Sequence, residues 1–461
     1  MKIGLLPLAR ATFDVPFAET RLQSMLAALD RAGHSIVGTR TLLMDGEATR
    51  AAVAGLQEDG VDQVLILQVT FTDAAMTAEI AAAFEQPLAI WAPPEPRLGG
   101  RLRLNAFCGL NLASHALRLR GRDFGWLYAD PDGPIDEALS DLLAGRCMAG
   151  RRDPLPAGVE PSPRARAVIA QLATRRIGRV GEHPDGFDTC AYDAGALKKM
   201  CGVEVEALAL DDLFDRAGHV PEAAVEQTRA VASEVLTGLA DVDAAQLDRS
   251  LRLRPALDEI RARDDLDAFA VRCWPETFTQ YGGAVCGAVA MMGEARVPCA
   301  CEADVYGALT QLILQDAADQ PVFLADLVDM DAADNTGVVW HCGQAPASMR
   351  DPDVPAVATI HTNRRMPLLY EFPLREGRVT FVRVSQAFGA TSLVLAGGEM
   401  LKRPMAFTGT SGVVRFDRPA GDVLGDLMAS GLEHHTAIAY GEHRPLLREI
   451  AAGLDLPVLE L

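Results

Sequence analysis

Short apolar runs alternate with longer amphipathic stretches through the first third of the chain. Residues 2–8, 34–43, 63–70, 87–93 and 124–130 are rich in Val, Ile, Leu and aromatic side chains and read as strands. Between them, 17–32 and 47–59 repeat apolar side chains at the spacing of one helix face. Strands alternating with helices in this way build a parallel, doubly wound sheet. A break follows at 150–163, where proline and charge cluster as in a linker. A second α/β series then runs through 176–181, 203–210, 267–274, 296–302 and 321–327, with helical stretches at 222–240 and 248–263. From Asp331 onward, long helices give way to short β-rich runs punctuated by glycine, at 336–343, 355–362, 368–374, 378–385, 391–400 and 408–416. Strands at this spacing predict an antiparallel barrel or sandwich. A helix at 445–454 and a strand at 457–461 follow.

Two carboxylates occupy matching places in this pattern. Glu302 closes one apolar run and Asp326 closes the next. The intervening 304–315 carries Val305, Leu309, Leu312 and Ile313 at helical spacing. A strand, a crossover helix and a parallel strand would set both acids at one carboxyl edge of a sheet, where open α/β sheets bind ligands. Two converging acids in a cleft make a metal seat, an acid/base pair, or both.

Histidine is scarce, with nine in the chain, yet His434 and His435 are adjacent. Neighbouring residues of a strand point to opposite faces, so one of the pair is expected to face a given site unless the strand is bulged. A buried histidine commonly satisfies core hydrogen bonds, but two acids with one or two imidazoles form an O/N set suited to Mn²⁺, with Mg²⁺ or Co²⁺ as alternatives and zinc also compatible. His341, at the end of a strand-like run, is a third candidate ligand or a structural histidine beside Gly343. The loop after 267–272 offers Trp274, Glu276 and Gln280 as a pocket wall or as the cap of the next helix. Cys299 and Cys301 are expected to be small buried residues, because no second pair supplies a zinc module. No phosphate loop, dinucleotide fingerprint or nucleophile elbow is present.

Length and charge narrow the class further. A chain of 461 residues exceeds one ordinary core and suggests two or three domains. With 49% apolar and 23% charged residues it has a soluble globular profile. The net charge of -20 argues against nucleic acid or an anionic membrane as partner. No apolar stretch reaches membrane-spanning length. Nine cysteines, an odd number, in a large chain whose start reads as a strand favour reduced thiols in the cytoplasm.

Taken together, 272–292, 299–310, 323–331, 338–343 and 431–444 resemble the L-fucose/L-arabinose isomerase superfamily, most strongly from Val271 onward. The resemblance implies two doubly wound, Rossmann-like α/β domains at 1–152 and 153–330, then a β-rich, barrel-like domain at 331–461. It implies an aldose–ketose isomerase that uses a divalent metal, Mn²⁺ in most members, on an open-chain sugar through an enediol(ate). Glu302 matches the metal-binding acid/base and Asp326 the fucose-type aspartate. His434 and His435 match the C-terminal histidine motif, with His435 the preferred ligand, and His341 resembles an additional arabinose-type ligand. A homo-oligomer, trimer or hexamer, is also implied. Two alternatives stand beside a neutral sugar substrate. One is an acidic or sulfonated sugar met by Arg364 and Arg365 or by Arg101 and Arg103; the other is a non-catalytic sugar sensor.

Overall fold

A computed structural model of the protein describes residues 1–146 and 152–461. Of the expected linker, Gly150 and Arg151 lie outside the described residues. The remainder bridges Leu155 to Val458 before the helix Pro163–Leu172.

The first sheet is parallel throughout, in the order Ser35–Gly38, Lys2–Leu8, Gln63–Gln68, Leu88–Ala92, Gly125–Tyr128. Its central strands are buried on both faces, which is why they read as unbroken apolar runs rather than alternating ones. Val15–Arg31 starts where the Asp14 side chain accepts from the Phe17 amide and Pro16 presets the first turn. The second sheet is also parallel, in the order Cys299–Ala300, Ala268–Val271, Arg176–Val180, Glu204–Leu208.

The third sheet has ten strands. Ser392–Leu401, Gly377–Ser385, His435–Tyr440, Phe323–Asp331, Thr336–His341 and Thr410–Phe416 pair antiparallel in that order, and Thr410–Phe416 pairs back onto Ser392–Leu401. The ring is thereby closed, as in a small barrel that hides its own edges. Leu236–Thr237 adds to an outlying part of this sheet, so the helix expected over 222–240 stops at Val235.

The expected parallel pairing of the strand carrying Asp326 is overturned. Phe323–Asp331 does not run parallel beside Cys299–Ala300. It lies between Thr336–His341 and His435–Tyr440, antiparallel to both, inside the closed ring. The helix Val305–Ala318 is therefore not a crossover within one parallel sheet; it leads from the second sheet into the ring. A fully buried apolar strand has the same periodicity in either setting, so the pattern could not separate them. What decides its place is the tight turn between Asp331 and Thr336, which folds the chain back as a hairpin.

Candidate active site

Glu302 is carried on a short and strained support. The strand before it is only Cys299–Ala300, after which Glu302 and Ala303 take positive φ angles of 58° and 54°. For residues with a Cβ the left-handed region costs roughly 1–2 kcal/mol each, so the neighbourhood must hold the turn in place. Asp304 does so. Its Oδ1 accepts from the Gly307 amide at 2.8 Å, capping Val305–Ala318, while the Arg383 guanidinium clasps both of its oxygens. The turn directs the Glu302 carboxylate toward the ring of antiparallel strands.

There Glu302 meets both histidines. Its Oε2 accepts from His434 Nε2 at 2.9 Å, and its Oε1 accepts from Trp274 Nε1 at 3.0 Å. His435 Nε2 lies 3.8 Å from Glu302 Oε2 and 3.5 Å from Asp326 Oδ1. The other ring nitrogen of His435 is tied to Asp304 Oδ2 at 2.9 Å, an arrangement in which a carboxylate behind the ring fixes its orientation. Asp326 and His435 are directly opposed on neighbouring strands. His434 stands at a bend just before that strand, so both imidazoles reach Glu302 with ring centroids 3.9 Å apart. The expected division of the pair onto opposite faces thus does not apply.

His341 stacks on His435 with centroids 5.7 Å apart. Its Nδ1 accepts from the Cys342 amide at 2.8 Å and lies 3.1 Å from Gln344 Nε2. That leaves the proton of the neutral ring on Nε2, aimed into the site.

Electrostatics distinguish the acids. Burial alone would push the Glu302 carboxyl up, but the His434 hydrogen bond and the charges of His434 and His435 outweigh it and hold the group at about 2. Asp326 has no such bond, and burial pushes it up to about 6 against the pull of the same imidazoles. Burial also lowers the His341 imidazole to about 3, with the neighbouring His435 adding to the effect. For His435 burial works downward, yet the Asp304 bond and the charges of Asp326 and Glu302 raise it.

Asp326 Oδ1, His341 Nε2 and His434 Nδ1 are buried with no hydrogen-bond partner among the described residues. Each such atom costs about 1–3 kcal/mol unless an ion or ligand satisfies it, and all three belong to residues lining one cleft. Ligand atoms of Glu302, His434 and His435, and those of Asp326, His341 and His435, fall within 4.8 Å of one another in each group. The donors are carboxylate and imidazole, a set that fits a divalent first-row cation.

The cleft above these groups opens at the carboxyl edges of both parallel sheets. Arg10 and Phe13 follow Lys2–Leu8, Phe71 follows Gln63–Gln68, and Trp274 follows Ala268–Val271. His361, Asn363 and Arg364 come from the third sheet's loops. Of the predicted pocket wall, Trp274 lines the cleft, whereas Glu276 forms an ion pair with Arg272 at 2.6 Å and Gln280 is exposed. Neither Glu276 nor Gln280 lines the cleft in this chain. Cys299 and Cys301 are buried, as expected. Asp304 and Arg383 complete the site without standing out in the sequence pattern. Asp304 reads simply as the residue before an apolar helix, and only the fold brings Arg383, which lies 79 positions away, against it.

Residues 4–144 match the family described as fucose/sulfoquinovose isomerase, N-terminal domain. The chain is 30% identical over 459 residues to a sulfoquinovose isomerase of Alkalicoccus urumqiensis, spanning 99% of this chain and 98% of that one. A sulfoquinovose isomerase of Priestia aryabhattai is 30% identical over 451 residues, 98% of this chain and 97% of its own. One from Clostridium sp. (strain MSTE9) is 30% identical over 460 residues, 99% of this chain and 98% of its own.

Proposed function

The chain belongs to the fucose/sulfoquinovose isomerase family and is an aldose–ketose isomerase, and from that premise we propose that it converts an open-chain sulfonated aldose to its ketose at a divalent-metal site. The observation that carries this reading is the approach of Glu302 and Asp326 to one atom, His435 Nε2, at 3.8 and 3.5 Å, beside buried polar atoms that lack partners among the described residues. Glu302, Asp326 and His435 would hold the cation, Mn²⁺ first and Mg²⁺ or Co²⁺ as alternatives. When bound, the cation supplies Lewis-acid polarisation of the sugar carbonyl. Glu302, kept ionised and aimed by His434 and Trp274, takes the C2 proton and returns it to C1. Asp326 moves the hydroxyl proton between the two sugar oxygens of the enediol. His341 serves as an Nε2–H donor to the sugar, because its Nδ1 is already occupied. His434 orients Glu302.

A sulfonated substrate is favoured by the relatives, which are sulfoquinovose isomerases; sulfoquinovose is the glucose analogue with a sulfonate on C6. A neutral sugar is the second reading, favoured by the fucose half of the family description. The deciding experiment is a metal-supplemented aldose panel read out as ketose. Sulfoquinovose should be turned over with Mn²⁺, and chelation should remove at least ~99% of the activity, reversibly on adding metal back. Full activity in the chelated protein would sink the metal site, and faster turnover of a neutral aldose would favour the second reading. The sugar-sensor alternative is set aside by the family.

No described helix is long and apolar enough to cross a membrane. The same reading includes a cytoplasmic homo-oligomer, trimer or hexamer. Light scattering should return a multiple of the 49.3 kDa chain mass, and a fully active species of 49.3 kDa would overturn that part.

A further inference from the structure

Several arginines surround the cleft, and the structure separates them by what they already hold. Arg103 pairs with Asp14 at 2.9 Å and lies against the Phe17 ring. Arg101 grips Asn363 Oδ1 at 2.7 Å and the Thr12 carbonyl at 3.0 Å. Arg10 pairs with Asp73, and Arg365 is exposed. Arg364 differs from all of these. Its guanidinium is 4.9 Å from the centre of the Trp274 ring and 5.7 Å from that of Phe278, inside the cleft. Among the described residues no carboxylate comes within ion-pair distance of it.

The backbone beneath Arg364 is anchored. His361 Nδ1 accepts from the amides of both Asn363 and Arg364 at 3.2 Å, and the Arg365 amide bonds the His361 carbonyl at 2.8 Å. A partly desolvated cation on an anchored turn, without a counter-charge, calls for an anion from outside the chain. Its position is also informative. The indole beside Arg364 is the same one whose Nε1–H is bonded to Glu302, so the guanidinium and the reacting carboxylate contact one side chain within one cleft.

We propose that Arg364 is the specificity-determining residue that reads the sugar's terminal sulfonate, with the Trp274 ring as the surface its guanidinium rests against. A planar fork of N–H donors matches a tetrahedral oxyanion better than a point-charge ammonium does. The assignment rests on the sulfonated-sugar reading of the isomerase site given above.

The test is steady-state kinetics of the metal-loaded protein on sulfoquinovose and on glucose. Arg364→Met should lower kcat/KM for sulfoquinovose roughly 30- to 100-fold, mostly through KM, the scale of charge-assisted hydrogen bonds lost to an ionised group. Glucose should change less than about threefold, since it makes no such bond. Arg364→Lys should fall between, and Arg365→Met should leave both sugars unchanged. Where glucose turnover is too slow to measure, calorimetric titration with the corresponding sulfonated and neutral alditols gives the same ratio. Equal losses on both sugars, or retained sulfoquinovose preference in Arg364→Met, would overturn the assignment. A wild-type protein with no preference for sulfoquinovose over glucose would instead overturn the substrate reading beneath it.

Discussion

Glu302→Gln is expected to lower kcat by about 10³-fold or more, the upper part of the range for removing a positioned acid/base group. The substitution is nearly isosteric, and the amide oxygen can still accept from Trp274 Nε1. What disappears is the proton acceptor and one unit of negative charge at the point where His434, His435 and a cation converge. The fold should survive, because a neutral amide is easier to bury than a carboxylate. Ketose formation and C2 deuterium exchange should fall together, while circular dichroism and the melting curve stay near those of the unchanged protein. A variant that keeps a tenth of the exchange rate would remove Glu302 from the proton transfer. Glu302→Asp should also be strongly impaired, since retracting the carboxylate by one methylene withdraws it from His434 or Trp274.

Much of the scaffold for this chemistry could be read from the chain itself. The central strands of the first sheet are covered on both faces, so Leu5, Leu6, Val64, Leu65, Ile66 and Ile90 are all fully buried and appear as apolar blocks between amphipathic helices. The helices expected from 17 and 47 begin at Val15 and Gly46, where the Asp14 and Asp45 side chains cap their amides. The strand carrying Asp326 was recognised as a strand but put in the wrong company. Its partners are His435–Tyr440, more than a hundred residues away, and Thr336–His341 across a turn, and no local period encodes either choice. The family resemblance in the sequence is strongest from Val271 onward, where Glu302, Asp326 and the histidines stand out as chemistry. The family match instead covers 4–144, whose apolar blocks carry no such residues to notice. Asp304 escaped notice for a related reason. A carboxylate before a helix is an ordinary cap, and its further grip on Arg383 and His435 exists only once the ring of strands has closed around it.

That grip makes Asp304→Asn the substitution with the largest expected effect on stability. Asp304 and Arg383 are both buried, and Arg383 otherwise bonds only the Thr189 carbonyl at 3.2 Å among the described residues. Burial works against the Asp304 carboxylate, but the Arg383 charge and the His435 bond keep it ionised well below the usual range. Asparagine can still cap Val305–Ala318 through its side-chain oxygen, so the change isolates the charge. It leaves a buried guanidinium unpaired, at a cost of about 3–5 kcal/mol by denaturant unfolding. It also takes away the carboxylate behind His435, which should weaken metal binding about 10- to 100-fold. These two consequences separate in the double variant Asp304→Asn/Arg383→Met. With the orphaned cation gone, most of the lost stability should return, while metal affinity should stay low because His435 Nδ1 still lacks its anionic partner. Calorimetric titration with Mn²⁺ on both proteins measures one, and urea melts the other. If the double variant recovers affinity along with stability, Asp304 acts on the metal site only by holding the fold. If Asp304→Asn alone unfolds within about 0.5 kcal/mol of the unchanged protein, the range of an ordinary surface substitution, the pair is not what pins the Glu302 turn.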